Sequence, residues 1–146
     1  MELMDILAKL KDDHRIIEDV LHNSIAILIG YKEDVYLKER SSFFSQVRQF
    51  IRNYDKLVVR HYEFEETYLY PDLVDEYGDE AMILLEEHRR LVKYRDRVKE
   101  LVEEGDLKGV LETLRSLYDL AREHLNRETN LLKKYISDKG VPLSID

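Results

Sequence analysis

The chain has 146 residues, 44% of them hydrophobic, a formal net charge of −8 and no cysteine. That length suits one domain with its own hydrophobic core, and the missing thiols exclude disulfides, thiolate zinc sites, iron–sulfur clusters and cysteine catalysis. The acidic balance without a basic run argues against nucleic acid, and the lack of a long apolar run or signal-like N-terminus sets the expectation of a cytoplasmic protein away from membranes.

Only five glycines and two prolines interrupt the chain, which favours long helices. The first predicted helix covers residues 3–29. Leu3, Ile6, Leu7, Leu10, Ile17, Leu21, Ile25 and Leu28 follow the three-four spacing of a buried stripe, and His14 takes a slot within it. Gly30 is the expected stop, and residues 31–40 form the longest connection. The second helix begins at Ser41 or Ser42 as N-cap. Its stripe is Phe43, Phe44, Val47, Phe50, Ile51, Tyr54, Leu57 and Val58, continued by His61 and Glu65. Pro71 is expected to close it, before a loop containing Gly78 and Asp79.

The third helix spans residues 80–104, with Leu84, Leu85, Leu91, Val92, Val98, Leu101 and Val102 inward and His88 among them. Gly105 stops it and Asp106 caps the fourth, residues 107–137, whose inner face carries Val110, Leu111, Leu114, Leu117, Ala121, Leu131, Leu132 and Ile136. His124 and Glu128 lie on that face. No segment alternates as a half-buried strand does, so the expected fold is all-α: an up-down-up-down four-helix bundle over residues 1–138, with residues 139–146 as an irregular tail.

Residues four apart on a helix stand one above the other, so His61 and Glu65 project together, as do His124 and Glu128. At the helical rise, His14 and His88 lie ~16 and ~13 Å from the starts of their helices, and His61 and His124 ~14 and ~20 Å from the ends of theirs. In an up-down bundle all four histidines therefore share one layer. Burying four imidazoles and two carboxylates uncompensated would cost several kcal/mol per charge, roughly. Two divalent metals resolve this, two histidines to each, with Glu65 and Glu128 bridging and positions left for other ligands. Such donors suit iron, and also manganese or zinc.

The order His14, His61 with Glu65, His88, His124 with Glu128 resembles the hemerythrin-like, HHE cation-binding family, as do the stretches from His61 to Leu73 and from Glu87 to Leu91. The resemblance covers residues 3–136. It implies two iron ions joined through an oxo or hydroxo bridge, with His14 and His61 on one metal and His88 and His124 on the other. The implied function is to bind, sense or detoxify dioxygen or nitric oxide. Oxygen-carrying members have a further histidine where this chain has Val92, and an Asp five residues after the fourth-helix histidine, where this chain has Glu128 at four; both departures count against reversible oxygen carriage. Members linked to iron–sulfur repair carry a cysteine-containing N-terminal domain, so that role is not carried over. The alternative is an iron-responsive regulatory module whose metal occupancy controls a protein partner, and a third reading is a vestigial site. Neither redox partner nor catalytic residue is indicated.

Four other residues bear on the site. Glu18 forms a third HxxxE with His14 and reads as a flanking glutamate, with a supporting or seventh-ligand role as the alternative. His22 lies about 80° from His14 on the helix and reads as non-ligating. Tyr68, one heptad after His61, reads as packing, or as a hydroxyl over the site; Arg95 reads as an aliphatic stem with its head in solvent. Ile17, Leu21, Leu57, Val92 and Leu125 are the expected apolar lining.

Overall fold

Buried apolar side chains recur every three to four residues, and in the computed structural model they form helices alone among the described residues, 2–25 and 39–144, less the side chains of residues 24 and 25. Helix α1 is Leu3–Val20 and runs on into a π-helical turn, Leu21–Ile25. Helix α2, Arg40–Asn53, continues through a second π-helical turn, Tyr54–Val59, into α3, Arg60–Tyr68. Then come α4, Tyr70–Tyr77, α5, Asp79–Glu104, and α6, Leu107–Lys139. No described helix is long and apolar enough to cross a membrane. The expected stripe member Leu28, the stop at Gly30 and the connection up to residue 38 lie outside the described residues, as does the side chain of Ile25.

The turn between α5 and α6 is as short as its sequence implies. Gly105 takes the left-handed conformation at φ 72°, which an L side chain resists, and the Asp106 carboxylate accepts the Gly109 N–H at 2.9 Å. The two helices then run back along each other, Glu87 meeting His124 and Arg127, and Glu80 meeting Lys134. Helix α2 packs on α5, and α1 on α3 and the second π turn. The result is a helical bundle.

Three boundaries differ from expectation. The second helix begins at Arg40, and neither serine caps it; Glu39 stands at the N-cap without a side-chain bond. Pro71 opens a helix instead of ending one. It cannot donate to the carbonyl of Thr67, and its ring crowds that carbonyl, so the helix opens at Leu69 (φ −118°) and restarts with Pro71 in the first turn of α4. What was expected to be loop is therefore mostly helix, and only Gly78 (φ 56°) separates α4 from α5.

The π turn at Tyr54–Val59 accounts for a fourth difference. Such a turn takes in an extra residue, so three-four counting through it misplaces side chains. Leu57, expected inward, is 38% exposed, and Val58 is 1% exposed.

The apolar core falls into two clusters. One holds Ile17, Leu21, Val47, Tyr54, Val58, Leu91, Leu117 and Ala121; the other holds Leu7, Leu10, Leu69, Tyr70, Leu73, Leu84, Leu131 and Leu132. On each of α1, α5 and α6, and along the run from α2 through α4, the buried polar residues come between these two sets.

The π-turn register predicts unequal costs for two adjacent truncations. Val58→Ala should lower stability by about 2 kcal/mol and Leu57→Ala by no more than about 0.5, read from urea denaturation midpoints at constant slope.

Candidate metal centre

All six residues singled out in the sequence are buried and converge between the two apolar clusters: His14, His61, Glu65, His88, His124 and Glu128. Glu65 is 0% and Glu128 1% exposed. Their ligand-type atoms form two sets, each lying within 4.8 Å: His14, His61, Glu65 and Glu128, and Glu65, His88, His124 and Glu128. Both glutamates belong to both sets.

Every histidine turns its Nε2 to the middle. His14 Nε2 lies 2.8 Å from Glu128 Oε1, His61 Nε2 3.1 Å from Glu65 Oε1, and His124 Nε2 3.0 Å from Glu128 Oε2. His88 Nε2 is 3.4 Å from Glu65 Oε1 and 3.0 Å from His124 Nε2.

The outward nitrogens of two rings are held by acids that the sequence reading did not single out. Asp13 accepts from His61 Nδ1 at 3.0 Å, and Glu87 from His124 Nδ1 at 3.1 Å. An ionised carboxylate can only accept, so each of these Nδ1 atoms carries a hydrogen, and in the neutral ring the Nε2 lone pair points inward. Lys9 steadies Asp13 at 2.8 Å, and Arg127 steadies Glu87 at 2.7 Å. A signal for both acids was present, because each immediately precedes a lone histidine, in Asp13-His14 and Glu87-His88. Adjacent residues lie about 100° apart on a helix. The histidine can therefore face the core while its neighbour reaches sideways to the next helix.

Two tyrosines were also missed. Tyr62 stacks on the His88 ring at 4.1 Å, and its hydroxyl pairs with that of Tyr54 at 2.8 Å. Tyr70, also stacked on His88, donates to Glu128 Oε2 at 2.6 Å. Tyr68 is 47% exposed and packs against Phe64, away from the cage. Tyr68 is the last residue of α3 and lies on its outer face, and the break at Leu69 then turns Tyr70 inward.

Of the remaining candidates, Glu18 and His22 are exposed and in neither set. The Arg95 head is not in free solvent but is held by Asp55 and Asp96. A small cavity beside the cage is lined by Ile17, Leu21 and Leu125 as expected, with Tyr54, Val58 and Ala121. Leu57 and Val92 do not line it. Leu57 faces an outer groove with Lys9 and Arg60, and Val92 another with Val59 and Lys93.

The electrostatics call for positive charge at the centre. Burial disfavours a charged His14, but Glu128 and Glu65 outweigh it and raise its pKa from 6.5 to about 10. Burial likewise opposes charge on His124, and Glu128 and Glu87 raise it to about 9. Burial alone would raise the Glu128 carboxyl, yet Glu65, His124 and His14 hold it well below the usual range.

Even so, the cage is not satisfied by protons. Both Glu65 oxygens, fully buried, lack a hydrogen-bond partner, as does His61 Nε2; their 3.1 Å approach lacks hydrogen-bond geometry. Inward lone pairs, two shared carboxylates and orphaned donor atoms fit cations.

A family model, the hemerythrin HHE cation-binding domain, matches residues 5–136. The chain belongs to this hemerythrin family. Comparison with curated proteins and with solved structures returns no match. Membership implies binding of metal cations, and the buried His–Glu sets are where this family member could hold them.

Without metal, the raised histidines set a pH dependence. A pKa above its unfolded value contributes stability that is complete below about 6.5 and lost as pH rises through the folded values, here about 9 and about 10. Metal-free protein should therefore lose melting temperature steadily from about pH 6.5 to about pH 10, and His14→Asn should flatten part of that slope. Scanning calorimetry after chelation measures both.

Proposed function

We propose that this protein holds two iron ions in the shared-carboxylate cage and binds, senses or detoxifies dioxygen or nitric oxide. The carrying observation is that two His2Glu2 sets share both glutamates inside a buried layer. In this reading His14 and His61 serve one ion, His88 and His124 the other, and Glu65 and Glu128 bridge. The same reading runs the helices up-down-up-down, with residues 139–146 as a tail. Manganese or zinc would satisfy the same donor types.

Bound iron supplies reversible one-electron chemistry and affinity for diatomic ligands. The protein supplies the surroundings. Asp13 and Glu87 fix the His61 and His124 rings with Nε2 inward, which in metal sites is worth about 10–100-fold in affinity. Ile17, Leu21, Val58 and Leu125 present an apolar wall beside His61, and the cavity they enclose has about the room of one water-sized molecule. A diatomic is of similar girth, and bulk water is kept out.

The regulatory alternative has an observation of its own: the cage ties α1, α3, α5 and α6 together across the core. Metal occupancy would then stabilise the bundle for a partner.

Metal analysis with absorption spectra under air, and after nitric oxide, tests the leading reading. About two irons per chain with gas-sensitive bands is the expected result. A large rise in melting temperature on loading without any gas response favours the alternative, and a metal-free protein of equal stability sinks both. His61→Ala should remove at least one metal, whereas His22→Ala should leave the metal content unchanged.

A further inference from the structure

We propose that Tyr70 is a fifth protein ligand of the metal held by His88 and His124, which makes the two metal positions unequal. The inference rests on the dinuclear reading above. Tyr70 is 1% exposed, and its hydroxyl oxygen lies 2.6 Å from Glu128 Oε2 and 3.1 Å from His88 Nε2. His88 Nε2 is in turn 3.0 Å from His124 Nε2. Two donors about 2.1 Å from one ion and at right angles around it are about 3.0 Å apart. Tyr70, His88, His124 and Glu128 are therefore spaced as neighbours around a common centre.

Hydrogen bonding alone does not account for this crowding. An imidazole nitrogen has one in-plane position, for a hydrogen or for a lone pair. Three groups press on that position at His88 Nε2: Glu65 Oε1 at 3.4 Å, Tyr70 Oη at 3.1 Å and His124 Nε2 at 3.0 Å. The tyrosine has one hydrogen, and it is directed to Glu128. A cation at the shared focus engages every one of these atoms at once.

The backbone is built to bring this hydroxyl in. Pro71 forces the break at Leu69, and Tyr70, the first residue of α4, turns beneath the cage. The other set gains no such donor. Tyr62 and Tyr54 are spent on one another at 2.8 Å, and Tyr68 is exposed. One position thus has five protein donors, His88, His124, Glu65, Glu128 and Tyr70, and the other has four, His14, His61, Glu65 and Glu128. With one protein donor fewer, the four-donor position keeps more room for an outside ligand, and the apolar cavity, which reaches His61, His124 and both glutamates, borders the two positions alike. On coordination the Oη–H bond breaks and an Oη–metal bond forms; the proton leaves to the buffer, and no electron is transferred.

The test is to load the full chain with iron(II), oxidise it in air, and record visible absorption and resonance Raman spectra for wild type, Tyr70→Phe and Tyr62→Phe. Ligation by Tyr70 predicts a phenolate-to-iron(III) band with enhanced tyrosinate ring modes in wild type and Tyr62→Phe. It predicts loss of that band in Tyr70→Phe, with about two irons per chain retained. Should Tyr70→Phe fail to fold, the wild-type Raman spectrum and persistence of the band in Tyr62→Phe decide the matter. Two ferric ions in wild type without the band, or a band lost with Tyr62 and kept without Tyr70, overturn ligation by Tyr70 and leave the dinuclear reading standing. Wild type that retains no iron overturns both.

Discussion

Seven imidazole and carboxylate side chains, the six of the cage and Glu87 beside it, are buried across the middle of an otherwise apolar core, and the rest of the molecule is arranged to make that burial tolerable. Glu65 and Glu128 are shielded from water on every side. A buried carboxylate without compensation costs several kcal/mol, on the order of the net stability of a small domain. The surrounding imidazoles supply that compensation when protonated, which is why His14 and His124 sit so far above an ordinary histidine. Cations supply it more completely, because they also reach the Glu65 oxygens that no proton donor engages. The apolar clusters on either side of the layer hold the helices close enough for this electrostatic bargain to be struck, and they keep out the solvent that would weaken it.

The two halves of the chain solve the problem with the same device. A helix contributes an acid followed at once by a histidine, Asp13-His14 or Glu87-His88. The segment paired with it contributes a histidine and a glutamate one turn apart, His61 and Glu65 or His124 and Glu128. The acid then reaches across to the partner segment's histidine, so that each half braces itself. Arg127 and Lys9 extend the bracing toward the surface, one step in each direction. A chain of this kind fixes ring orientation by hydrogen bonds whose geometry is stricter than packing.

Departures from regular helix do as much as the regular parts. The π turn at Tyr54–Val59 rotates the second helical run just before His61, bringing Val58 in and leaving Leu57 on the surface. The break at Leu69 rotates it again just after Glu65, turning Tyr70 toward the cage. The HxxxE pair of that run is thus framed by two irregularities within about three turns. Backbone adjustments next to a site re-aim side chains without altering the residues themselves.

By itself the sequence determined the helical class, the hairpin at Gly105 and Asp106, and the six residues that meet in the core. Each follows from a local rule, the three-four spacing of apolar residues or the left-handed freedom of glycine, applied within regular helix. Asp13 and Glu87 were legible in principle, since each adjoins a histidine already marked. Only the tertiary structure decided the rest: Val58 over Leu57, Tyr70 over Tyr68, Pro71 as a beginning instead of an end, and Arg95 held between two acids. A π turn and a broken helix each change the rotation per residue by an amount that spacing does not record. Partners such as Asp55 for Arg95, 40 residues away, become neighbours only when the helices pack.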